Sequence, residues 1–73
     1  MKSSLILGYG STGKDIEQYL ISQNKNYLIH DDLEKIDKKY KFNTENINNI
    51  ETIFVSPGVK KDHEILKLSL IHI

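Results

Sequence analysis

The residues best suited to chemistry in this sequence form a glycine-rich turn near its beginning. A G-x-G-x-x-G pattern occupies residues 8–13 and directly follows a short apolar run. In that pattern the first glycine permits a tight turn, the second admits a phosphate close to the backbone, and the third lets a helix pack on a strand. Free N–H groups at the helix start favour an anion. We therefore predict a phosphate site at Gly10, Ser11, Thr12 and Gly13, with a ligand-free strand-to-helix turn as the alternative.

The same turn also approaches the phosphate loop of nucleotide hydrolases, G-x-x-x-x-G-K, because Lys14 follows Gly13. That loop needs Ser or Thr next to hold magnesium, whereas Asp15 would place a carboxylate beside the phosphates. The sequence therefore disfavours nucleotide hydrolysis. Lys14 is interpreted as a solvated helix residue that has the reach to approach a phosphate as a point charge.

Two acidic side chains follow the second apolar run. Asp31 lies roughly 20 residues beyond the glycine turn, where a dinucleotide-binding fold places its ribose-binding acid. Either Asp31 and Asp32 accept hydrogen bonds from a nucleotide, or they cap the loop and face water. His30 is interpreted as a packing residue, because no second His or Cys stands at a recognisable ligand spacing, and no metal site is predicted.

Short apolar runs predict the strands that must position these residues. They lie at residues 5–7, 27–29 and 53–55, and each is followed by polar or turn-forming residues. Helical patterns separate the runs, so we predict the α/β class, as a truncated Rossmann-like parallel sheet with βαβαβ topology. Ligands of such sheets bind outside the carboxyl ends of the strands. The three strand ends near residues 8, 31 and 56 should therefore line one rim.

The helices are predicted from apolar periodicity and capping residues. The first follows the glycine turn, carries a buried stripe of Ile16, Tyr19, Leu20 and Gln23, and stops by Asn24 and Asn26. Residues 33–41 are charged with thin periodicity and are predicted to be a loop with at most one or two helical turns. The sequence further predicts a short helix capped by Thr44 with Ile47 and Ile50, and a last helix opened by Asp62 with Ile65, Leu66 and Leu70.

Composition limits the classes of function. The 73 residues suffice for one small domain, the net charge is zero and all ten cations are Lys, so binding to nucleic acid or an anionic membrane is disfavoured. No cysteine is present, which excludes disulfides and thiolate metal sites and favours a cytoplasmic setting. The N-terminal apolar run is too short for a signal peptide or a membrane span.

Two segments resemble a known family. Ser56, Pro57, Gly58 and Val59 follow the third strand, and a D-H-x-x-L pattern follows at residues 62–66. Together with the opening I-L-G-Y-G-S-T-G, these segments are similar to the muramyl ligases, most of all to the D-glutamate-adding MurD type. The resemblance brackets most of the chain, but residues 33–51 are shorter and less similar, and Asp32 stands where relatives often carry a small hydroxyl residue.

The resemblance implies a domain that binds the uridine nucleotide of UDP-N-acetylmuramoyl-L-alanine without a redox cofactor. Ser11, Thr12 and Gly13 would contact the diphosphate, Asp31 and Asp32 the uracil end. Ser56 and Gly58 would complete the pocket. No catalytic residue is implied in this chain. The whole enzyme would use ATP and Mg²⁺ to form an acyl phosphate that the D-glutamate amine attacks, in synthesis of peptidoglycan precursors.

The resemblance also implies a domain organisation. Residues 1–67 would be a partial N-terminal domain, while the family's central ATPase domain and C-terminal domain are absent from this sequence. Residues 68–73 spell what one frame of a common transposase adapter would encode, and we interpret them as a sequencing artefact. An NAD(P)-binding Rossmann domain of a dehydrogenase or regulatory protein remains the alternative function, because the glycine turn and Asp31 suit it equally. A third possibility is a structural module that binds no nucleotide.

Overall fold

The computed structural model of the chain describes residues 2–60 and 63–68. In chain order its elements are β1 (Ser3–Leu7), α1 (Ser11–Ser22), β2 (Tyr27–His30), a 3-10 helix (Thr44–Asn49), β3 (Ile50–Val55) and α2 (Glu64–Leu68). The strands form one parallel sheet in the order β2-β1-β3. The predicted α/β class, with a small parallel sheet and helices, is confirmed.

β1 is the central strand and is buried on both faces. Leu5, Ile6 and Leu7 are at most 1% exposed, as the unbroken apolar run predicts for a central parallel strand. Because side chains alternate along a strand, they divide between two cores. One core contains Leu5, Leu7, Phe42, Ile50, Ile53 and Ile65, and the other contains Ile6, Leu20 and Ile29. α2 thus packs on one face of the sheet and α1 on the other.

α1 contacts the sheet along a narrow row. Its fully buried positions, Gly13 and Leu20, stand two turns apart. Tyr19 is 57% exposed, and Gln23 is the exposed cap residue that follows the helix, so the prediction that these two residues lie on the buried stripe is wrong. The stripe is too narrow to include Tyr19, the residue next to Leu20 in the sequence. The helix ends at Ser22, and Asn24 follows with a positive φ of 55°, a conformation that Asn tolerates and that stops a helix.

The segment between β2 and β3 is mostly loop, as predicted, but it extends the sheet. Ile29 donates its N–H to the Tyr40 carbonyl at 2.7 Å and accepts the N–H of Phe42 at 2.9 Å. Residues 40–42 therefore run along the outer edge of β2. Because of this pairing, Phe42 lies in the core and Lys41 lies at the carboxyl end of the sheet.

The region before β3 differs from the prediction at two residues. The cap of the 3-10 helix is Asn43, whose side chain accepts the Glu45 N–H at 3.1 Å, whereas Thr44 is the first helical residue. Ile50 begins β3 instead of ending a helix, and it is 2% exposed. A β-branched side chain suits a strand that can bury it, so the core decides this boundary.

The last helix begins at Glu64, and Ile65 and Leu66 pack toward the sheet as predicted. The predicted start at Asp62, the contribution of Leu70 and residues 69–73 of the suspected adapter lie outside the described residues. No helix in the described ranges has the length and apolarity needed to cross a membrane.

Candidate functional site at the carboxyl end of the sheet

An open cleft of about 1060 Å³ lies where the three strands end. β1 ends at the glycine turn, β2 at two acidic residues and β3 at the Ser-Pro-Gly turn, so parallel strand direction brings all three to one rim. Of the eight predicted site residues, those lining the cleft are Gly10, Ser11, Thr12, Asp31, Asp32, Ser56 and Gly58. Gly13 is the exception.

Backbone hydrogen bonds fix the rim. The Gly8 N–H donates to the His30 carbonyl at 2.7 Å, and the Ser56 N–H donates to the Leu7 carbonyl at 3.0 Å. The buried hydroxyl of Ser56 donates to the Gly8 carbonyl at 2.9 Å. The end of β1 is thereby tied to both neighbours. The hydroxyl proton of Ser56 is used by this bond, so only its oxygen lone pairs are left for a ligand.

The first glycine of the turn is required by the fold. Gly8 has a φ of +97°, and a Cβ there would lie 2.9 Å from the Cβ of Ser56. A side chain at Gly13 would overlap the Gly8 carbonyl oxygen, so this glycine permits α1 to pack against the end of β1, as predicted. Gly13 is buried and does not line the cleft.

The cleft-facing end of α1 offers backbone N–H donors that have no acceptor among the described residues. The first N–H groups of a helix have no partner within it, and the N-cap residue, Gly10, has no side chain to accept them. Ser11 and Thr12 are exposed there. This end of the helix therefore presents N–H groups and the positive end of the dipole to the cleft.

Asp31 links the glycine turn to the loop after β2. Its Oδ2 accepts the Tyr9 N–H at 2.6 Å, and its Oδ1 accepts the N–H groups of Leu33 and Glu34, each at 2.8 Å. Partial burial raises the pKa of Asp31, but these three donors outweigh it and hold the pKa below its usual value. The side chain thus caps the loop, which is the alternative that the sequence left open.

Asp32 lies between two histidines. Its Oδ1 is 2.9 Å from Nε2 of His30, and its Oδ2 is 3.0 Å from Nε2 of His63. Hydrogen bonds from His30 and then from His63 lower the pKa of Asp32. His30 also packs edge-on against Phe42, with ring centroids 6.5 Å apart. It is therefore a packing residue, as interpreted, and also part of a group of three side chains with metal-ligand chemistry.

Sequence reasoning missed several residues of the cleft. Its further lining includes Leu33, Lys41, Phe42, Thr44, Lys60 and His63. Lys41 reaches it only through the pairing of residues 40–42 with β2, and His63 meets Asp32 across 31 positions of chain. No local spacing signals either approach. Leu33 is 96% exposed at the cleft, so its apolar surface is available to a ligand.

Comparison of the chain with protein-family models, curated proteins and solved structures found no match in any of the three. The arrangement of the cleft is therefore what bears on function. It combines free helix N–H groups, two lysines and an acidic loop at the rim of a parallel sheet.

Proposed function

We propose that the cleft binds the diphosphate of a uridine nucleotide, and that the chain is the Rossmann-like, βαβαβ N-terminal unit of a muramyl ligase of the D-glutamate-adding type. The observation that carries the proposal is the convergence of seven predicted contact residues, from three separate strand ends, on one cleft. UDP-N-acetylmuramoyl-L-alanine is the proposed ligand.

The diphosphate would lie at the N-terminal end of α1. Gly10 leaves space beside the backbone, since no atom in residues 2–60 and 63–68 lies within 4 Å of the position of an added Cβ. The N–H groups of Ser11 and Thr12 would donate to phosphate oxygens. Lys41 and Lys60, which also line the cleft, would add positive charge that the glycine pattern alone does not supply.

Asp31 keeps one acceptor position for a nucleotide. A carboxylate has about four lone-pair positions, and three of those on Asp31 already accept backbone N–H groups. The remaining position suits a single N–H donor, such as that of uracil, and equally the ribose 2′-hydroxyl of a dinucleotide, so the titrations below must separate the two ligands. Asp32 would provide the second contact at the uracil end.

In this proposal the chain anchors substrate and performs no chemistry. It would hold the nucleotide so that the distant carboxylate of the substrate reaches an active site formed by the ATPase and C-terminal domains, where ATP and Mg²⁺ act. Binding energy from such a remote group contributes orientation to the reaction. A cytoplasmic setting belongs to the same proposal.

Titrations followed by two-dimensional NMR test the proposal. The chain, shown to be folded by circular dichroism, is titrated separately with UDP-N-acetylmuramoyl-L-alanine, UMP and NAD. We expect the uridine ligands to shift the amides of residues 10–13, Asp31 and Gly58. Shifts with NAD alone would replace the proposal by a dinucleotide-binding function, and the absence of shifts with every nucleotide would favour a structural module.

A pair of charge-matched variants separates diphosphate binding from general attraction. Lys60→Gln removes a cation that lines the cleft, whereas Lys25→Gln removes an exposed cation from the turn after α1, outside the cleft. We expect Lys60→Gln to weaken UDP binding about tenfold, because it removes a charge-assisted contact, and Lys25→Gln to leave it unchanged. Equal weakening by both variants would contradict a specific diphosphate site.

A further inference from the structure

A cluster of two imidazoles and one carboxylate lies in the cleft. The cluster, hereafter the histidine cluster, consists of His30, Asp32 and His63, whose ligand atoms all lie within 4.8 Å of one another. His30 ends β2, Asp32 belongs to the following loop and His63 immediately precedes α2. The fold assembles the cluster, because nothing in the local sequence pairs the two histidines.

We propose that the histidine cluster binds a divalent transition-metal ion, and that zinc fits it best. Two imidazole nitrogens and one carboxylate oxygen form the donor set of open, three-ligand zinc sites. Magnesium and calcium instead prefer shells made of oxygen alone. Zinc binding requires no nucleotide. It uses His30 and His63, which have no part in the proposed uridine contacts, together with Asp32, which the two proposals share.

The cluster can contract around a small ion. Ligand atoms of a tetrahedral zinc ion lie about 3.3 Å apart, given Zn–N distances of about 2.0 Å. The two imidazole–carboxylate separations are 2.9 and 3.0 Å, to different oxygens of Asp32. Because the ligand atoms lie within 4.8 Å of one another, binding requires them to approach by at most about 1.5 Å. Rotation of exposed Asp32 would bring one of its oxygens between the two rings.

Packing holds both rings in place before an ion arrives. The side chains of His30 and His63 are only 28% and 15% exposed, and their ring centroids lie 5.5 Å apart in an edge-to-face arrangement. The side chain of Asp32 is 65% exposed. Because all three residues line the cleft, the fourth coordination position is open to water or to a ligand in the cleft.

Hydrogen bonding at His63 gives zinc binding a distinctive signature. Its Nδ1 accepts the Ile65 N–H at 3.1 Å, so a neutral ring carries its proton on Nε2 and donates it to Asp32. Zinc takes the lone pair of Nε2, and the proton then resides on Nδ1. Ile65 consequently loses its acceptor, and the first turn of α2 changes its hydrogen bonding when the ion binds.

Zinc titration of the chelator-treated chain, without nucleotide, tests the proposal directly. Long-range ¹H–¹⁵N spectra of the imidazoles and amide spectra are recorded as zinc chloride is added. We expect one ion per chain, shifts of the Nε2 resonances of His30 and His63, and a shift of the Ile65 amide. Imidazole shifts confined to His72, or no saturable change at His30 and His63, would overturn the proposal.

Histidine variants provide the matched controls in calorimetric titrations. We expect His30→Ala and His63→Ala each to weaken zinc binding by at least about 100-fold, since even loss of a group that only orients a ligand costs up to that much. His72→Ala removes the remaining histidine of the sequence and should leave affinity unchanged. Equal affinity in all three variants would contradict the site. If a variant fails to fold, the imidazole spectra of the unaltered chain decide.

Discussion

The glycines at the carboxyl end of the sheet divide into two groups according to what an added Cβ would meet. Gly8 and Gly13 face protein, since an added Cβ at either would meet atoms of Ser56 or of the turn itself. Gly10 and Gly58 face the cleft, and no atom of the described residues lies within 4 Å of an added Cβ. The first pair is required by the fold whatever the chain binds. The fold does not require glycine at the second pair of positions, and the open space beside them leaves room for a ligand.

This contrast shows what a G-x-G-x-x-G pattern contains. Two of its glycines are required by the backbone geometry. Gly8 has a positive φ, and Gly13 lies where α1 packs closely against β1. Gly8 and Gly10 both border the cleft, but only Gly10 has open space where a Cβ would be added. A match to the pattern therefore supports a strand–turn–helix unit more strongly than it supports a ligand, and substitutions can separate the two meanings.

The largest effect is expected at Gly13. Gly13→Ala places a methyl group on the Gly8 carbonyl oxygen, where neither backbone can move without separating α1 from β1. We expect the free energy of unfolding to fall by at least about 3 kcal/mol. Urea denaturation followed by circular dichroism measures this loss. Stability within about 0.5 kcal/mol of the unaltered chain would mean that the helix does not pack as closely as described.

A smaller loss is expected at Gly8, because an added Cβ there meets the Cβ of Ser56 less closely than an added Cβ at Gly13 meets the Gly8 carbonyl oxygen, although only a backbone shift can relieve the contact. Gly8→Ala must keep a φ of +97° and a Cβ only 2.9 Å from that of Ser56. We expect destabilisation of about 1–3 kcal/mol, the usual cost of a strained backbone position. The same denaturation experiment applies, and Gly10→Ala, in the same turn, is the control.

Asp31 stabilises the glycine turn by accepting the Tyr9 N–H, and this contribution makes the stability of the folded chain depend on pH. Its pKa is lowered in the folded chain, so its contribution to stability is complete above the unfolded-state pKa and is lost as pH falls through the folded-state pKa. Asp31→Asn should destabilise the chain by about 1–2 kcal/mol at neutral pH and reduce the acid dependence. Unfolding in urea across the acid range measures both, and an unchanged acid slope would contradict this role.

The smallest effect on stability is expected at the cleft-facing glycines. Gly10→Ala and Gly58→Ala should each change the free energy of unfolding by less than about 0.5 kcal/mol, because the added methyl groups meet no atom in the described part of the chain. Under the proposed function each should nevertheless weaken binding of UDP about tenfold, by occupying space near the ligand. Retained stability with retained affinity in both variants would show that the ligand does not approach these glycines.

Features that depend on neighbouring residues could be predicted from the sequence. The buried run at Leu5 to Leu7, the glycine turn and the Ser-Pro-Gly turn each carry their signal within a few positions, and parallel topology then places the strand ends together. For this reason seven predicted residues line one cleft. The exposed position of Tyr19 was missed because periodicity does not give the width of the buried stripe.

Features that depend on distant pairing could not be predicted. Ile50 belongs to β3 because the core accepts it beside Ser3, forty-seven positions away, and short apolar patterns do not distinguish a helix end from a strand start. The approach of residues 40–42 to β2 and of His63 to Asp32 likewise follows from tertiary structure. The role of Asp31 was open because a loop cap and a nucleotide contact use the same carboxylate.

The pairing of residues 40–42 with β2 also determines at which edge the sheet can be extended. β2 has no free edge along Ile29, because Tyr40 and Phe42 occupy its outward backbone groups. Among the described residues, β3 is the strand whose outer edge has no such neighbour. An edge of unpaired N–H and C=O groups is a template for another strand. Any segment that enlarges this sheet, from the same chain or another, would therefore add beside β3.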